Sequence, residues 1–375
     1  MAADADSCSV DDLLQLVRPA VRARSEYVVD APSGDIEVKL NQNESPFDLP
    51  DRLKQDLLEA YAQVEMNRYP SEQPDELRRA LGEYNGVDPD HILVGNGSNE
   101  ITYTFGLSFL DPGDPVVLPR PMFSLYEKVM RLQEADCTIV PPRDDFGFDA
   151  DALATAAAET DAVLTILTTP NNPTGLAMTL DEIEQVVTAS PGFVVVDEAY
   201  VEFNPEGTAL DLLRRHPNVL ILRTLSKGFG LAGARLGYLL ARPTVVTELM
   251  KARLPFMVDR FAEQTALAVL QHPDLIADRV RRIEASITEL TEALQSMDAV
   301  DVVPSAANFV IFTTPVSADT LQETLADRGV LVRNMSGYPE LEGYLRVSAG
   351  SAEENNAFLD ALKLSLKKAG VSSAL

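Results

Sequence analysis

Between residues 75 and 250 the chain alternates two hydrophobic textures. Leu77, Ala80, Leu81 and Tyr84 recur at i, i+3, i+4 and i+7, which predicts one buried face of a helix. Leu180, Ile183, Val186 and Val187 repeat that spacing. Between such stretches lie short apolar runs: Ile92–Val94, Val116–Leu118, Val163–Leu167, Phe193–Val196, Val219–Leu222 and Leu236–Leu240. Each is bounded by Gly, Pro, Asn or Asp. Runs that are apolar throughout, rather than at alternate positions, predict strands buried on both faces of a mostly parallel sheet. The expected fold class is therefore α/β, with helices layered over that sheet.

After Pro255 the texture changes. Ile283, Ile287, Leu290 and Leu294 mark a long helix, followed by a strand at Phe309–Phe312, a helix near Leu321–Leu325, a strand at Tyr344–Val347 and a helix from Ala352. This predicts a smaller α+β unit. The expected division is 1–65 for an N-terminal arm with part of the small domain, 66–265 for the large domain and 266–375 for the small C-terminal domain. A chain of 375 residues, 46% hydrophobic, is long enough for two cores.

Composition then removes whole classes of function. Residues 1–12 lack the basic and apolar blocks of a targeting peptide, and no apolar run approaches the ~18 residues of a membrane helix. Cys8 and Cys137 have no metal-ligand spacing and read as two unpaired thiols of a reducing cytoplasm. The three histidines stand singly, so neither a metal site nor a histidine triad is expected. The net charge of −27 repels nucleic acid and anionic lipid, and neither is an expected partner. Of 31 basic residues only eight are lysine. Acidic excess with scarce lysine predicts a surface suited to strong salt, where self-repulsion is screened.

In open α/β sheets ligands bind beyond the carboxyl ends of the strands. Four polar segments occupy such ends: Gly95–Glu100, Thr169–Gly175, Asp197–Tyr200 and Thr224–Lys227, with Arg235 eight residues further on. Taken singly, each has an ordinary reading as a turn, a loop, a helix cap or a solvated lysine. Together they fit one ligand bearing a phosphate, a pyridine nitrogen, a phenolic oxygen and an aldehyde. Backbone N–H groups around Ser98, Asn99 and Glu100 open a helix and suit the phosphate, to which Thr224, Ser226 and Arg235 add hydroxyls and a cation. An ionised Asp197 keeps the ring nitrogen protonated. Asn172 and Tyr200 donate to the phenolic oxygen, and Phe123 lies on the ring face. Lys227 condenses with the aldehyde and, once free, moves a proton.

Asn171–Gly175, Asp197–Phe203 and Thr224–Arg235 resemble the corresponding segments of fold type I aminotransferases. That resemblance, running from about residue 40 to 354, implies pyridoxal 5'-phosphate as cofactor, with Lys227, Asp197 and Tyr200 as catalytic residues. It also implies a homodimer with active sites shared across the interface, and an amino donor and a 2-oxo acid as substrates.

Further segments resemble the histidinol-phosphate aminotransferase family: Asn67–Pro70, Gly95–Glu100, Val332-Arg333, Ser336–Pro339 and Tyr344–Val347. The resemblance implies that Tyr69 reaches the partner subunit's cofactor phosphate. It implies that Arg346 receives a substrate carboxylate, and that Arg333, with Tyr27, holds a substrate phosphate. Such a pair of arginines suits a reaction whose two substrates are glutamate, with two carboxylates, and a phosphate ester without one. Ser45, Met122 and Phe256 depart from that family's usual Asn, Thr and Tyr, which bears on the substrate and not on the cofactor. An aromatic or broad-specificity aminotransferase and a phosphothreonine-type decarboxylase are the alternatives within the fold. A cofactor-sensing regulator would need a DNA-binding module, and the chain has neither a helix-turn-helix extension nor a basic patch.

Overall fold

The computed structural model describes residues 10–24 and 35–371. A two-residue strand, β1 (Val38–Lys39), precedes seven strands of the main sheet: β2 (Ile92–Asn96), β3 (Pro115–Pro119), β4 (Asp136–Val140), β5 (Leu164–Thr168), β6 (Phe193–Asp197), β7 (Val219–Thr224) and β8 (Leu236–Leu240). Their spatial order is β2-β8-β7-β6-β5-β3-β4. All pairings are parallel except those of β8, which is antiparallel to both its neighbours. The six predicted apolar runs all fall on strands of this sheet, Val163 alone lying one residue before β5. Helices cover both faces, so residues of either parity, such as Val194, Val195 and Val196, are buried.

The helix Leu180–Ala189 shows how local sequence sets these layers. Thr179 and Glu182 form a reciprocal capping box at its start, and Ile183, Val186 and Val187 form its buried stripe. Its C-terminal neighbour Ser190 returns the chain directly to β6.

The second unit carries β9 (Asp301–Val303), β10 (Phe309–Thr313), β11 (Val330–Leu331), β12 (Arg333–Asn334) and β13 (Tyr344–Ser348). Four of them form an antiparallel sheet in the order β12-β13-β10-β9, while β11 pairs in parallel with β1. The N-terminal segment is thereby tied to this unit, and Leu40 joins its core. That core is built on Phe309, Phe312, Leu345 and Phe358, against the long helix Pro273–Gln295. Ile276 in the first turn of that helix still packs into the large core, and Ile283 into the small one. The change of core falls inside a continuous helix rather than at residues 265–266. Among the described residues no helix is long and apolar enough to cross a membrane.

Candidate active site

A cleft of about 1130 Å³ opens along the carboxyl edge of the main sheet, where the small unit faces it. Topology explains why the four polar segments meet there. β2, β5, β6 and β7 all end at this edge. β8 runs the opposite way, so its beginning lies at the same edge, with Thr224 registered against Gly237. Arg235, just before β8, is thus brought beside Ser226, just after β7.

Lys227 is half-buried, and its Nζ donates to the carbonyls of Gln42 at 3.1 Å and Asn43 at 2.9 Å. Burial lowers its amine to about 7, with the charges of Arg346 and Arg235 acting in the same direction. A substantial share of this amine is neutral near neutral pH, as a nucleophile requires. Asp197, at the end of β6, accepts from the Tyr126 hydroxyl at 2.6 Å and the Ala199 N–H at 2.9 Å. Burial pushes it up to about 6, Tyr126 and Ala199 pull it down, and neighbouring Glu198 adds to the rise. Among the described residues no cation enters that balance. A carboxylate so placed lacks a positive partner, and a protonated ring nitrogen would supply one.

Tyr200 is buried, its hydroxyl raised to about 12 by burial. It accepts from Asn43 Nδ2 at 2.9 Å. Asn43 also accepts, through its carbonyl, from Asn308 at 3.0 Å. Asn43 itself has a left-handed backbone, φ 53°. In the loop after β5, Asn171 is consumed structurally by Thr168, Thr174 and the Pro121 carbonyl. Asn172 instead lines the cleft and accepts from Arg346 at 2.5 Å.

An anion cradle lies at the start of the helix Gly97–Phe109. Gly97 (φ 74°) leads into that helix, and a Cβ there would stand 2.7 Å from the Arg235 guanidinium. A Cβ on Gly237 would stand 2.3 Å from the Ser98 nitrogen, so only glycine lets β8 approach the helix end so closely. The side chains of Ser98, Asn99, Ser226 and Arg235 all line this space, and Thr224 donates to the Ser226 hydroxyl at 2.9 Å. Helix-terminal N–H groups, hydroxyls and one guanidinium make a site for a phosphate.

On the other wall Arg333 and Arg346 are directly opposed, residue against residue, on β12 and β13. Both line the cleft. Like charges placed opposite on one face favour an anion before them.

Not every expected residue arrives. Glu100 does not line the cleft: helical rotation turns it away from Ser98 and Asn99, and it pairs with the buried Arg253 at 3.0 Å while accepting from Asn96 N–H and Thr104. Its side chain is thus a structural cap, while its backbone N–H remains in the first turn of the helix. Tyr69 is 80% exposed and lies outside its own chain's cleft, stacked on Phe256 with ring centroids 4.8 Å apart. Tyr27 lies outside the described residues. Conversely, the structure adds Tyr126 and Asn43, which bond to Asp197 and Tyr200. Tyr126 lies in the first turn of the helix Leu125–Leu132, and Asn43 lies two residues before Ser45.

The family model for class I and II aminotransferases matches residues 35–362. The chain belongs to the class I and II aminotransferases. With that family come transamination and pyridoxal phosphate, and the cleft suits the group: Asp197 lacks a cation, the cradle suits a phosphate and Lys227 is a weakly basic amine. Among relatives of this aminotransferase, a histidinol-phosphate aminotransferase of Chlorobaculum tepidum is 41% identical over 93% of this chain and 99% of its own. One from Prosthecochloris aestuarii is 40% identical over 94% and 98%. The solved histidinol-phosphate aminotransferase of Sinorhizobium meliloti, in complex with pyridoxal-5'-phosphate, superposes with a TM-score of 0.84 at 24% identity, covering 94% and 97%. An L-threonine-O-3-phosphate decarboxylase from Porphyromonas gingivalis gives 0.78 at 25%, covering 88% and 99%.

Proposed function

We propose that this aminotransferase moves the amino group of L-histidinol phosphate to 2-oxoglutarate, giving imidazole acetol phosphate and L-glutamate. The observation that carries the reading is the opposed pair Arg333 and Arg346, which offers two cationic forks to substrates that differ in their anions. Relatives about 40% identical over nearly the whole chain, named for this reaction, support it.

Bound pyridoxal phosphate supplies an aldehyde carbon for the substrate amine and a ring that accepts the electron pair left when the α-proton departs. The protein supplies the rest. Ser98, Asn99, Thr224, Ser226 and Arg235 hold the phosphate. Asp197, itself oriented by Tyr126 and the Ala199 N–H, holds a proton on the ring nitrogen. Asn172 and Tyr200 donate to the phenolic oxygen, and Phe123 covers the ring. Lys227 is the amine that anchors the cofactor, and when released it takes the α-proton and returns it one carbon away. Its lowered basicity suits both tasks. Arg346, braced by Asn172 and by the Asn41 carbonyl at 2.9 Å, receives the carboxylate of glutamate. Arg333 receives the phosphate of histidinol phosphate, and Tyr27, on the family resemblance alone, is a second candidate for that contact.

The working form in this reading is a homodimer, in which Tyr69 completes the partner's phosphate cradle. Its exposure supports this, as does that of Met66 and Leu254, 72% and 70% exposed and close in sequence to Tyr69 and Phe256. We place the enzyme in the cytoplasm, a setting that scarce cysteine suits.

The test is an amino-donor panel of histidinol phosphate, phenylalanine, tyrosine and phosphothreonine, each with 2-oxoglutarate. Histidinol phosphate giving the highest kcat/KM, with glutamate formed in equal amount, is the expected outcome. Preference for an unphosphorylated aromatic donor, or carbon dioxide release from phosphothreonine, would overturn it.

A further inference from the structure

Glu340 lies in the wall of the same cleft, on the short 3-10 turn Pro339–Leu341 that joins β12 to β13. The turn is anchored. Leu341 is buried against Ile311 and Met335, the Tyr338 N–H donates to the Met335 carbonyl and the Leu341 N–H to that of Tyr338, each at 2.9 Å. Glu340 is half-buried, and its Oε2 is shielded from solvent without receiving a hydrogen bond from any of the described residues.

The other carboxylates of the cleft are engaged. Glu127 accepts from Arg120 at 2.6 Å and from Arg131 at 2.8 Å, Glu44 from Lys39 at 2.7 Å, and Asp197 from Tyr126. Arg120 feels the charge of Glu340, but its guanidinium is already forked on Glu127. A buried acceptor without a donor is costly, so a donor arriving with the ligand is what completes this wall.

This step rests on the histidinol phosphate reading. That substrate offers three handles: an amine, which goes to the reacting centre near Lys227, a phosphate, which calls for arginine, and an imidazole. The ring carries one N–H when neutral and two when protonated, and titrates near pH ~6.5 when free. A carboxylate repels the phosphate end and attracts the ring. We propose that Glu340 accepts a hydrogen bond from the substrate imidazole and is the residue that selects an imidazole over a phenyl or phenol side chain. A phenyl ring in the same place brings no donor and leaves Oε2 unpaired.

The experiment compares the holoenzyme's kcat and KM for histidinol phosphate with those for 2-amino-3-phenylpropyl phosphate, which keeps the amine and phosphate and replaces imidazole by phenyl. Wild type, Glu340→Gln and Glu340→Leu are measured between pH 6 and 8.5. In Glu340→Leu, efficiency with histidinol phosphate should fall about 10- to 100-fold, chiefly through KM, while the phenyl ester changes less than about threefold. Wild-type preference for the imidazole substrate should grow as the pH falls through the ring's titration. Glu340→Gln, which keeps an acceptor but loses the charge, should lose that growth. Equal losses for both esters, or a preference unchanged in both variants, overturns the role of Glu340 and leaves the histidinol phosphate reading standing. A wild type that turns over neither ester overturns both.

Discussion

Arg346 donates to the side-chain oxygen of Asn172 at 2.5 Å, joining the small unit's β13 to the loop after β5 of the large sheet. The bond fixes the amide's orientation: with its oxygen taken, the Asn172 NH₂ is left to face the cleft. In the proposed reaction one side chain would thus orient the arginine that takes the carboxylate and present a donor to the cofactor's phenolic oxygen.

Asn172→Ala should therefore damage two properties together. The KM for glutamate should rise about tenfold, the size of one hydrogen bond to a charged group. The colour change of the bound cofactor should move to higher pH, because the phenolic oxygen loses a donor that favours its ionised form. Kinetics and an absorbance titration of one preparation test both. A rise in KM with an unmoved titration would place Asn172 in substrate binding alone.

Lys227 gives a prediction in pH. Its amine is lowered to about 7, chiefly by burial, and only the neutral amine attacks an aldehyde. The rate at which apo-protein turns yellow with added pyridoxal phosphate should rise through a midpoint near pH 7. An unperturbed lysine would still be gaining rate at pH 10. Borohydride reduction and peptide mapping should put the label on Lys227, and label on any other of the eight lysines contradicts the assignment.

Tyr69 and Lys227 should act in one site from two chains. Mixing Tyr69→Phe with Lys227→Ala chains creates heterodimers in which one site holds both lesions and the other is intact. Activity of the mixture should exceed that of either parent. No gain on mixing contradicts either the trans placement or the dimer.

The 58 carboxylates against 31 basic groups predict that thermal stability rises with potassium chloride into the molar range. Many of the ion pairs are exposed, such as Lys251–Glu248 and Arg281–Asp278, and contribute little that salt could remove. A Tm indifferent to salt would make the acidic surface an incidental feature.

Much of this was legible in the sequence because the strands of the main sheet are buried on both faces and read as unbroken apolar runs. β4 escaped because it is an edge strand, Asp136-Cys137-Thr138-Ile139-Val140, whose polar residues meet solvent. The reversed direction of β8 has no local signature, yet it is what brings Arg235 to Ser226. β1, β11 and β12 are two residues long and too short for any period. Most of the proposed cofactor residues were readable because they lie at or just after a strand end; Arg235, just before β8, is an exception. Asn43 and Tyr126 were not, since their roles depend on Lys227, Tyr200 and Asp197, which are distant in the chain. The pairing of the Glu100 side chain with Arg253 was not legible either, since adjacency to Ser98 and Asn99 does not keep side chains on one face of a helix.

The central claim is that a phosphate-bearing amine is recognised between Arg333 and Arg346, and removing the Arg333 guanidinium tests it most directly. Losing one charge-assisted contact in a desolvated site costs about 2–5 kcal/mol, or roughly 30- to several-thousand-fold. The measurement is the ratio of kcat/KM for histidinol phosphate to that for phenylalanine, in wild type and Arg333→Ala, at one fixed salt concentration. The ratio should fall by that order, with the phenylalanine value little changed. A ratio that stays the same would take Arg333 out of phosphate recognition and favour a broad aromatic aminotransferase.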